Sequence, residues 1–401
     1  LDSCVPSGWR LGTLGDIADS RVDLWQPTSS DIKPYVALEH IAQGSPTLLG
    51  YARSSEATST KAVFRKGDLL FGKLRPNLRK AVLAPFDGIC STDILVIRAR
   101  RDSDPGYLEC LAHYPPVQEH AVSTASGTKM PRTSWPSLKS CVVPIPPLAE
   151  QRKIAAILSS VDESIEKTEA VIAQLDVVKK AMLEELLTRG IPGRHSQFKQ
   201  TEIGEVPEEW TIRPLGELVD FINGRAFSER DWKRAGVPII RIQNLNGGTE
   251  FNYFQGEVED RFAVRPNDLL FSWSGTRGTS FGPHVWRGPT GVLNQHIFNV
   301  KNLRGVTQDY LLWALRFITS RIEKAAHGGS GLVHITKGAL EQFRVPVPDA
   351  SEQTAIADRL QAIDEAKRAT DQELTARQNL KSSLAEALLS GTVRTTGGSA
   401  A

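Results

Sequence analysis

The sequence predicts an α/β (α+β) protein: two globular α/β domains separated by two long helices that pair as an antiparallel coiled coil, with internal pseudo-two-fold symmetry. Three observations predict it. The chain matches itself at an offset of about 200 residues, short β-type runs fill the first part of each copy, and about 40 residues without proline close each copy.

The first domain is expected over 1–148. Trp9 and LGDI (Leu14 to Ile17) open it and match Trp210 and LGEL (Leu215 to Leu218) of the second domain, expected over 209–350. RKGDLLF ending at Phe71 matches RPNDLLF ending at Phe271, Tyr107-Leu108 matches Tyr310-Leu311, and SGT (Ser126 to Thr128) matches SGL (Ser330 to Leu332). PIPPLAEQ (Pro144 to Gln151) then matches PVPDASEQ (Pro346 to Gln353). Runs such as DILVIRA and HIFNVK, broken by Gly and Pro turns, read as strands. A period this long is a domain plus an appended element, not a solenoid repeat.

The appended elements are helices over 149–190 and 351–391. In the first, Ile154, Leu158, Val161, Ile165, Thr168, Ile172, Leu175, Lys179, Met182 and Leu186 step by four and three, the spacing of a coiled-coil seam. Ile356, Leu360, Ile363, Lys367, Thr370, Leu374, Arg377, Lys381, Leu384 and Leu388 repeat that register. Each apolar stripe needs a partner, and the intervening domain lets the second helix run back along the first. Lys179, Arg377 and Lys381 are polar seam positions, expected to lie along the edge with their heads in water. Glu150-Gln151 and Glu352-Gln353 fall in the first helical turns, where carboxylates suit the positive helix end. A polar linker is expected over 191–208, and a disordered tail over 392–401.

With 40% hydrophobic and 23% charged residues, the 401-residue chain can bury two cores. A formal net charge of +2 points to no partner by itself, so a nucleic-acid surface must come from local clusters. Cys4, Cys90, Cys110 and Cys141 have no C-x-x-C spacing and fit reduced thiols. No apolar run reaches membrane-span length, and LDSCVPSGWR lacks a secretory layout, so a soluble, cytoplasmic protein is expected.

PIPPLAEQRKIAAIL followed by a heptad helix, its partner PVPDASEQTAIADRL, and the two W..LG openings resemble type I restriction-modification specificity subunits over nearly the whole chain. That resemblance implies two target-recognition domains on double-stranded DNA, with the helices fixing the spacer of an asymmetric bipartite site. It also implies assembly with two methyltransferase subunits and with restriction (motor) subunits. S-adenosylmethionine, for adenine N6 methylation, and ATP with Mg would belong to those partners. No catalytic residue, metal or cofactor is expected in this chain.

Candidate DNA contacts follow from chemistry. In FGKLRPNLRK, Lys73, Arg75, Asn77, Arg79 and Lys80 crowd a turn, where cations meet phosphate, Arg reads guanine and Asn reads adenine. The bland alternative is a solvated basic loop. The matching FSWSGTRGTSFG offers Trp273, Ser274, Arg277 and Thr279, although Trp273 can equally be core. SGTKMPRTS and GSGLVHITK resemble the family's second DNA-facing loop and contribute Lys129, Arg132 and Thr133, and His334, Thr336 and Lys337. Ser126 and Ser330 are read as turn-shaping, and Thr133 and Thr336 as alternative helix N-caps. Asn294, Gln295 and His296 can either read adenine or bond a buried turn.

Two rivals stand beside this reading. An enzyme would need motifs that are missing: HYPPVQ has the wrong order for adenine methylation, GTRGTSFG is only a loose glycine pattern, and SGTK is misordered for a P-loop. A coiled-coil scaffold that binds proteins without DNA specificity is compatible with the heptads alone.

Overall fold

The computed structural model describes residues 5–21, 23–27, 32–56, 59–303, 305–328 and 331–395. The chain divides into two compact units, residues 1–171 with 370–401 and residues 172–369. Each unit combines one globular domain with one end of each long helix. Cys4 and Ser330 lie outside the described residues.

In unit 1 a four-stranded antiparallel sheet runs Ala18–Arg21, Ile94–Ala99, Leu69–Gly72, Ala81–Leu83. A second sheet runs Leu24–Trp25, Lys61–Phe64, Gly88–Cys90, Pro34–Val36, Ala52–Arg53, with Pro34–Val36 parallel to Gly88–Cys90. Unit 2 repeats the scheme. One sheet runs Val219–Asn223, Ile297–Asn302, Leu269–Ser272, Gly282–Val285, and in the other Val237–Ile240 lies parallel to Gly291–Leu293. The duplicated DLLF segments are the buried strands of these sheets, with Leu69, Leu70, Phe71 and Leu269, Leu270, Phe271 in the cores. Asp68 accepts Arg65 N at 2.8 Å and pairs with Arg98 at 2.6 Å, which fixes the turn ahead of the strand.

The helical layers differ for a reason visible in the sequence. Unit 1 has two short helices, Pro105–His113 and Pro115–Ser123, because Pro115-Pro116 cannot continue the first. Unit 2 has no proline there and forms one helix, Gln308–Ala325. Asp104 and Thr307 cap these helices by accepting Tyr107 N at 3.0 Å and Tyr310 N at 3.3 Å.

The long helices span Leu148–Thr188 and Ala350–Ser390. Every seam position named above is buried or half-buried. Their pairing is antiparallel within each unit: Ile154 and Leu158 share the unit 1 core with Leu388 and Leu389, and Leu186 and Leu187 share the unit 2 core with Ile356 and Leu360.

Three expectations are corrected. The seam lysines do not hold their heads in water: Lys381 pairs with Asp162, and Lys179 pairs with Asp364. These are one ion pair written twice at the same sequence offset, because each lysine meets the other helix's carboxylate. Arg377 reaches Glu373 on its own helix at 2.5 Å.

The Glu-Gln pairs are not simple caps, because all four residues are buried. Glu150 accepts the Trp9 indole N–H at 2.8 Å, and Glu352 accepts that of Trp210 at 3.0 Å. Gln151 accepts Asp104 N at 2.9 Å, and Gln353 accepts Thr307 N at 2.7 Å. The Tyr107 and Tyr310 hydroxyls donate to Pro144 O and Pro346 O at 2.9 and 2.8 Å. The matched Trp, Tyr, Pro and Gln residues therefore form a buried clamp that ties each domain to the start of a long helix.

The third correction concerns the two connecting segments. Within 191–208, Phe198–Thr201 and Gly204–Pro207 form a hairpin that buries Ile203 and Val206. Of the expected tail, Arg394 pairs with Glu150 at 2.8 Å and donates to Ser7 O at 3.0 Å, while 396–401 lie outside the described residues.

Cys90, Cys110 and Cys141 are free thiols. Among the described residues no helix is long and apolar enough to cross a membrane.

Candidate nucleic-acid interface

In unit 1 the strand Leu69–Gly72 delivers the chain into Lys73–Lys80, where two arginines adopt a left-handed backbone. Arg75 (φ 51°) and Arg79 (φ 52°) bracket a single 3-10 turn, Pro76–Leu78. A residue with a Cβ costs about 1 kcal/mol or more in that conformation, so the turn is held by its surroundings. Arg75 N donates to Pro131 O at 2.7 Å, Thr133 N to Lys73 O at 3.0 Å, and Lys73 N to Asp93 O at 2.9 Å. Leu74 stands opposite Arg132 in an isolated bridge. The two loops that the sequence singled out separately are thus stitched together.

The side chains divide by exposure. Arg75, Asn77, Arg79, Lys129 and Arg132 are exposed, and Lys73 and Lys80 are half-buried. Lys80 donates to Leu38 O at 2.7 Å, and Arg132 reaches Asp93 Oδ1 at 3.0 Å. Ser126 shapes its turn through backbone bonds with Arg132 in both directions, each 2.9 Å. Thr133 is 2% exposed and does not cap the following helix; Ser134 does, accepting Ser137 N at 3.3 Å. Sequence reasoning also missed Asp93, whose backbone serves one loop and whose carboxylate serves the other. Its only sequence signal is its place just before the strand Ile94–Ala99.

Unit 2 makes the same juxtaposition with other residues. Trp273 N donates to His296 O at 3.3 Å, and Ile335 N to Trp273 O at 3.0 Å. Ser274–Thr276 then pairs with Leu332–His334, which pairs with His327–Gly328, giving a three-stranded ribbon. Ser274 stands opposite His334, whose ring lies 6.1 Å from that of His327.

Trp273 is half-buried; its indole donates to Asn223 Oδ1 at 3.0 Å and Gln295 O at 3.1 Å, and it stacks on Phe298. Arg277 and Thr279 are exposed at the turn. Thr336 is exposed and caps its helix by accepting Ala339 N at 3.3 Å. Lys337 is held by Asp220 at 2.8 Å, a bond that raises its pKa. Asn294 Oδ1 and His296 Nδ1 are buried without a hydrogen-bond partner among the described residues.

Electrostatically the two surfaces differ. The stitched loops of unit 1 carry Lys73, Arg75, Arg79, Lys129 and Arg132, with Asp93 pairing with Arg132, whereas in unit 2 Lys337 pairs with Asp220 and Glu341, and Glu323 accepts the backbone N–H of Gly278 next to Arg277. Among the described residues no group of three or more His, Cys, Asp or Glu is arranged to hold a metal ion.

The family model for the type I restriction modification DNA specificity domain matches twice, over residues 6–176 and 207–376. The chain belongs to that specificity family. The family's domain thus ends, in both copies, part-way along a long helix.

Two relatives from Methanocaldococcus jannaschii span nearly the full length of the chain. It is similar to the provisionally assigned type I restriction enzyme MjaX specificity subunit, with 28% identity covering 97% of this chain and 95% of the relative. It is also similar to the MjaVIII specificity subunit, with 24% identity covering 97% and 94%. Among solved structures, the type I restriction-modification system S subunit from M. genitalium aligns with TM-score 0.62 at 14% identity, covering 97% of each chain. A chain from a study of type I R-M complex assembly and conformational transition aligns with TM-score 0.60 at 22% identity, covering 98% and 100%. These likenesses show the fold of the specificity family.

Proposed function

We propose that this chain is the non-catalytic subunit that gives a type I restriction-modification complex its DNA sequence specificity. Each unit reads one half of an asymmetric bipartite site, and the helices set the spacer. The observation that carries the reading is the repeated pairing of two loops at the end of a buried DLLF strand, conserved in backbone scheme between the units and changed in its side chains. A common scaffold with different displayed groups suits two different half-sites.

In this reading Lys73, Arg79, Lys129 and Arg132 position phosphates, while Arg75, Asn77 and Arg277 reach base edges, with Arg suited to guanine and Asn to adenine. Thr279, Ser274 and His334 supply short polar groups beside Arg277. Methyltransferase subunits bring S-adenosylmethionine, and restriction subunits bring ATP and Mg.

A few base pairs per unit, at about 1–3 kcal/mol each, give weak selection alone. Covalent tethering raises the effective concentration of the second contact.

The test is binding-site selection with the complex of this chain and its methyltransferase partner. Arg75→Ala and Arg277→Ala should each relax discrimination at one half-site, by about 1–3 kcal/mol at one position. A uniform loss over all sequences would make them phosphate contacts. Lengthening the spacer by two base pairs should abolish specific binding. No duplex binding at all by the complex would favour a protein scaffold.

A further inference from the structure

The duplication provides an internal control for every cavity in the molecule. Helix Pro105–His113 matches the beginning of Gln308–Ala325, so Glu109, Cys110 and His113 occupy the places of Leu312, Trp313 and Arg316. In unit 2 the Trp313 indole is buried, and the Arg316 guanidinium lies 4.5 Å from its ring centroid and 3.7 Å from Asp364. Lys179 and Arg368 complete the cations around that carboxylate. Burial works to raise Asp364, yet these partners hold it below the usual carboxylate range. The recess left beside Trp313 is about 270 Å³.

Unit 1 keeps the carboxylate and the lysine as Asp162 and Lys381 but at the matching helix positions has neither the indole nor the guanidinium; Arg79, from the loop after Gly72, is the guanidinium on its cleft lining. Cys110 is far smaller than tryptophan. His113 spends its Nε2 on Ala81 O at 2.9 Å, and burial drags its pKa down to about 4, so it is neutral at pH 7. Among the described residues Lys381 is the only cation paired with Asp162, and burial leaves that carboxyl raised. Glu109 adds a second carboxyl where unit 2 has Leu312. The result is a cleft of about 690 Å³, with Ala155, Leu158 and Leu389 as its apolar floor and Glu163, Glu166 and Glu386 at its rim. That size lies in the range of small-molecule sites.

We propose that the unit 1 cleft binds a small organic cation, a guanidinium carried on a flat apolar body, which supplies from outside what Trp313 and Arg316 supply from within unit 2. The flat body lies on the Ala155, Leu158 and Leu389 floor beside Cys110. The guanidinium donates to Asp162 and Glu109 in the way Arg316 faces Asp364. The cleft meets the DNA-facing loops at Arg79, which also stands on its lining, whereas Glu109, Cys110 and His113 lie on the helix Pro105–His113 outside those loops.

The probe is phenylguanidine, titrated calorimetrically into the full chain without DNA. One equivalent should bind with a sub-millimolar Kd, on the order expected for about ten well-buried non-hydrogen atoms, and neutral benzyl alcohol should not bind. Cys110→Trp with His113→Arg, which writes the unit 2 filling into unit 1, should weaken binding more than tenfold and raise the melting temperature. Should that double variant lose its cooperative melt, Glu109→Gln decides, with an expected loss of about tenfold for one charge-assisted hydrogen bond. No binding, equal binding of the alcohol, or binding undiminished in Glu109→Gln or in a folded double variant would overturn the proposal. Gel shifts of the same variants report DNA reading separately, so failure of one inference leaves the other standing.

Discussion

At the scale of single residues, the duplicated motif letters and the displayed letters have different physical duties. Glu352 is fully buried and accepts from Trp210, His195 Nε2 at 2.8 Å and Ile191 N at 3.1 Å. Glu352→Ala strands all three donors and should cost roughly 3–5 kcal/mol in urea unfolding. Arg75 is the converse case, because its left-handed backbone is a strain that glycine does not suffer. Arg75→Gly should therefore keep stability or raise it by up to about 1 kcal/mol while weakening DNA binding; a loss of stability would mark the arginine as structural.

Glu109 and His113 make a pH prediction. Burial pushes Glu109 up to about 7, and burial takes His113 down to about 4. The folded chain holds an extra proton on Glu109 between its ordinary range and about pH 7, so that group loses stability as pH rises. It lacks a proton on His113 from about pH 4 up to the ordinary histidine range, so that group gains stability as pH rises. The two slopes oppose each other, each at most about 1.4 kcal/mol per pH unit. Denaturant midpoints of His113→Gln should fall from pH 5 to 7 relative to the parent, and those of Glu109→Gln should rise.

At the scale of elements, the two long helices were the most legible part of the sequence. A seven-residue apolar spacing over about 40 residues without proline leaves few alternatives, and each seam position is withdrawn from solvent. What the spacing did not reveal was the fate of its lysines. A lysine in a seam is ambiguous until the opposite helix is in place, and only the antiparallel pairing brings Asp162 to Lys381 and Asp364 to Lys179.

Asp162→Ala alone leaves a half-buried ammonium without its partner and should cost about 1–3 kcal/mol, whereas Asp162→Leu with Lys381→Leu should return to within about 1 kcal/mol of the parent or exceed it. Thermal or urea unfolding of the four members of that cycle measures the coupling. The candidate site was legible only as loops. Basic and glycine-rich composition located Lys73–Lys80 and Ser274–Thr279, but the stitching of each loop to the one before the long helix is a contact between distant segments. Likewise Thr133 reads as a cap in the sequence, and the burial of its side chain leaves that role to Ser134.

At the scale of the whole molecule, the asymmetry of charge between the two loop pairs predicts an asymmetry in salt response. Removing a phosphate-contacting cation such as Arg79 in unit 1 should reduce the slope of log K against log salt by about one. Arg277→Ala, if it reads a base, should shift specificity and leave that slope nearly unchanged. Binding isotherms over a range of salt concentrations distinguish the two.

The return of Arg394 to Glu150 and Ser7 carries a consequence for how the molecule comes into being. Unit 1 consists of residues 1–171 together with 370–401, so its core waits for Leu388 and Leu389, which are synthesised after the whole of unit 2. Unit 2 is continuous and can close first, although it is encoded second. A nascent chain halted after Ala369 should then show a protease-resistant unit 2 and a cleavable unit 1, and order of synthesis and order of folding are opposed in this chain.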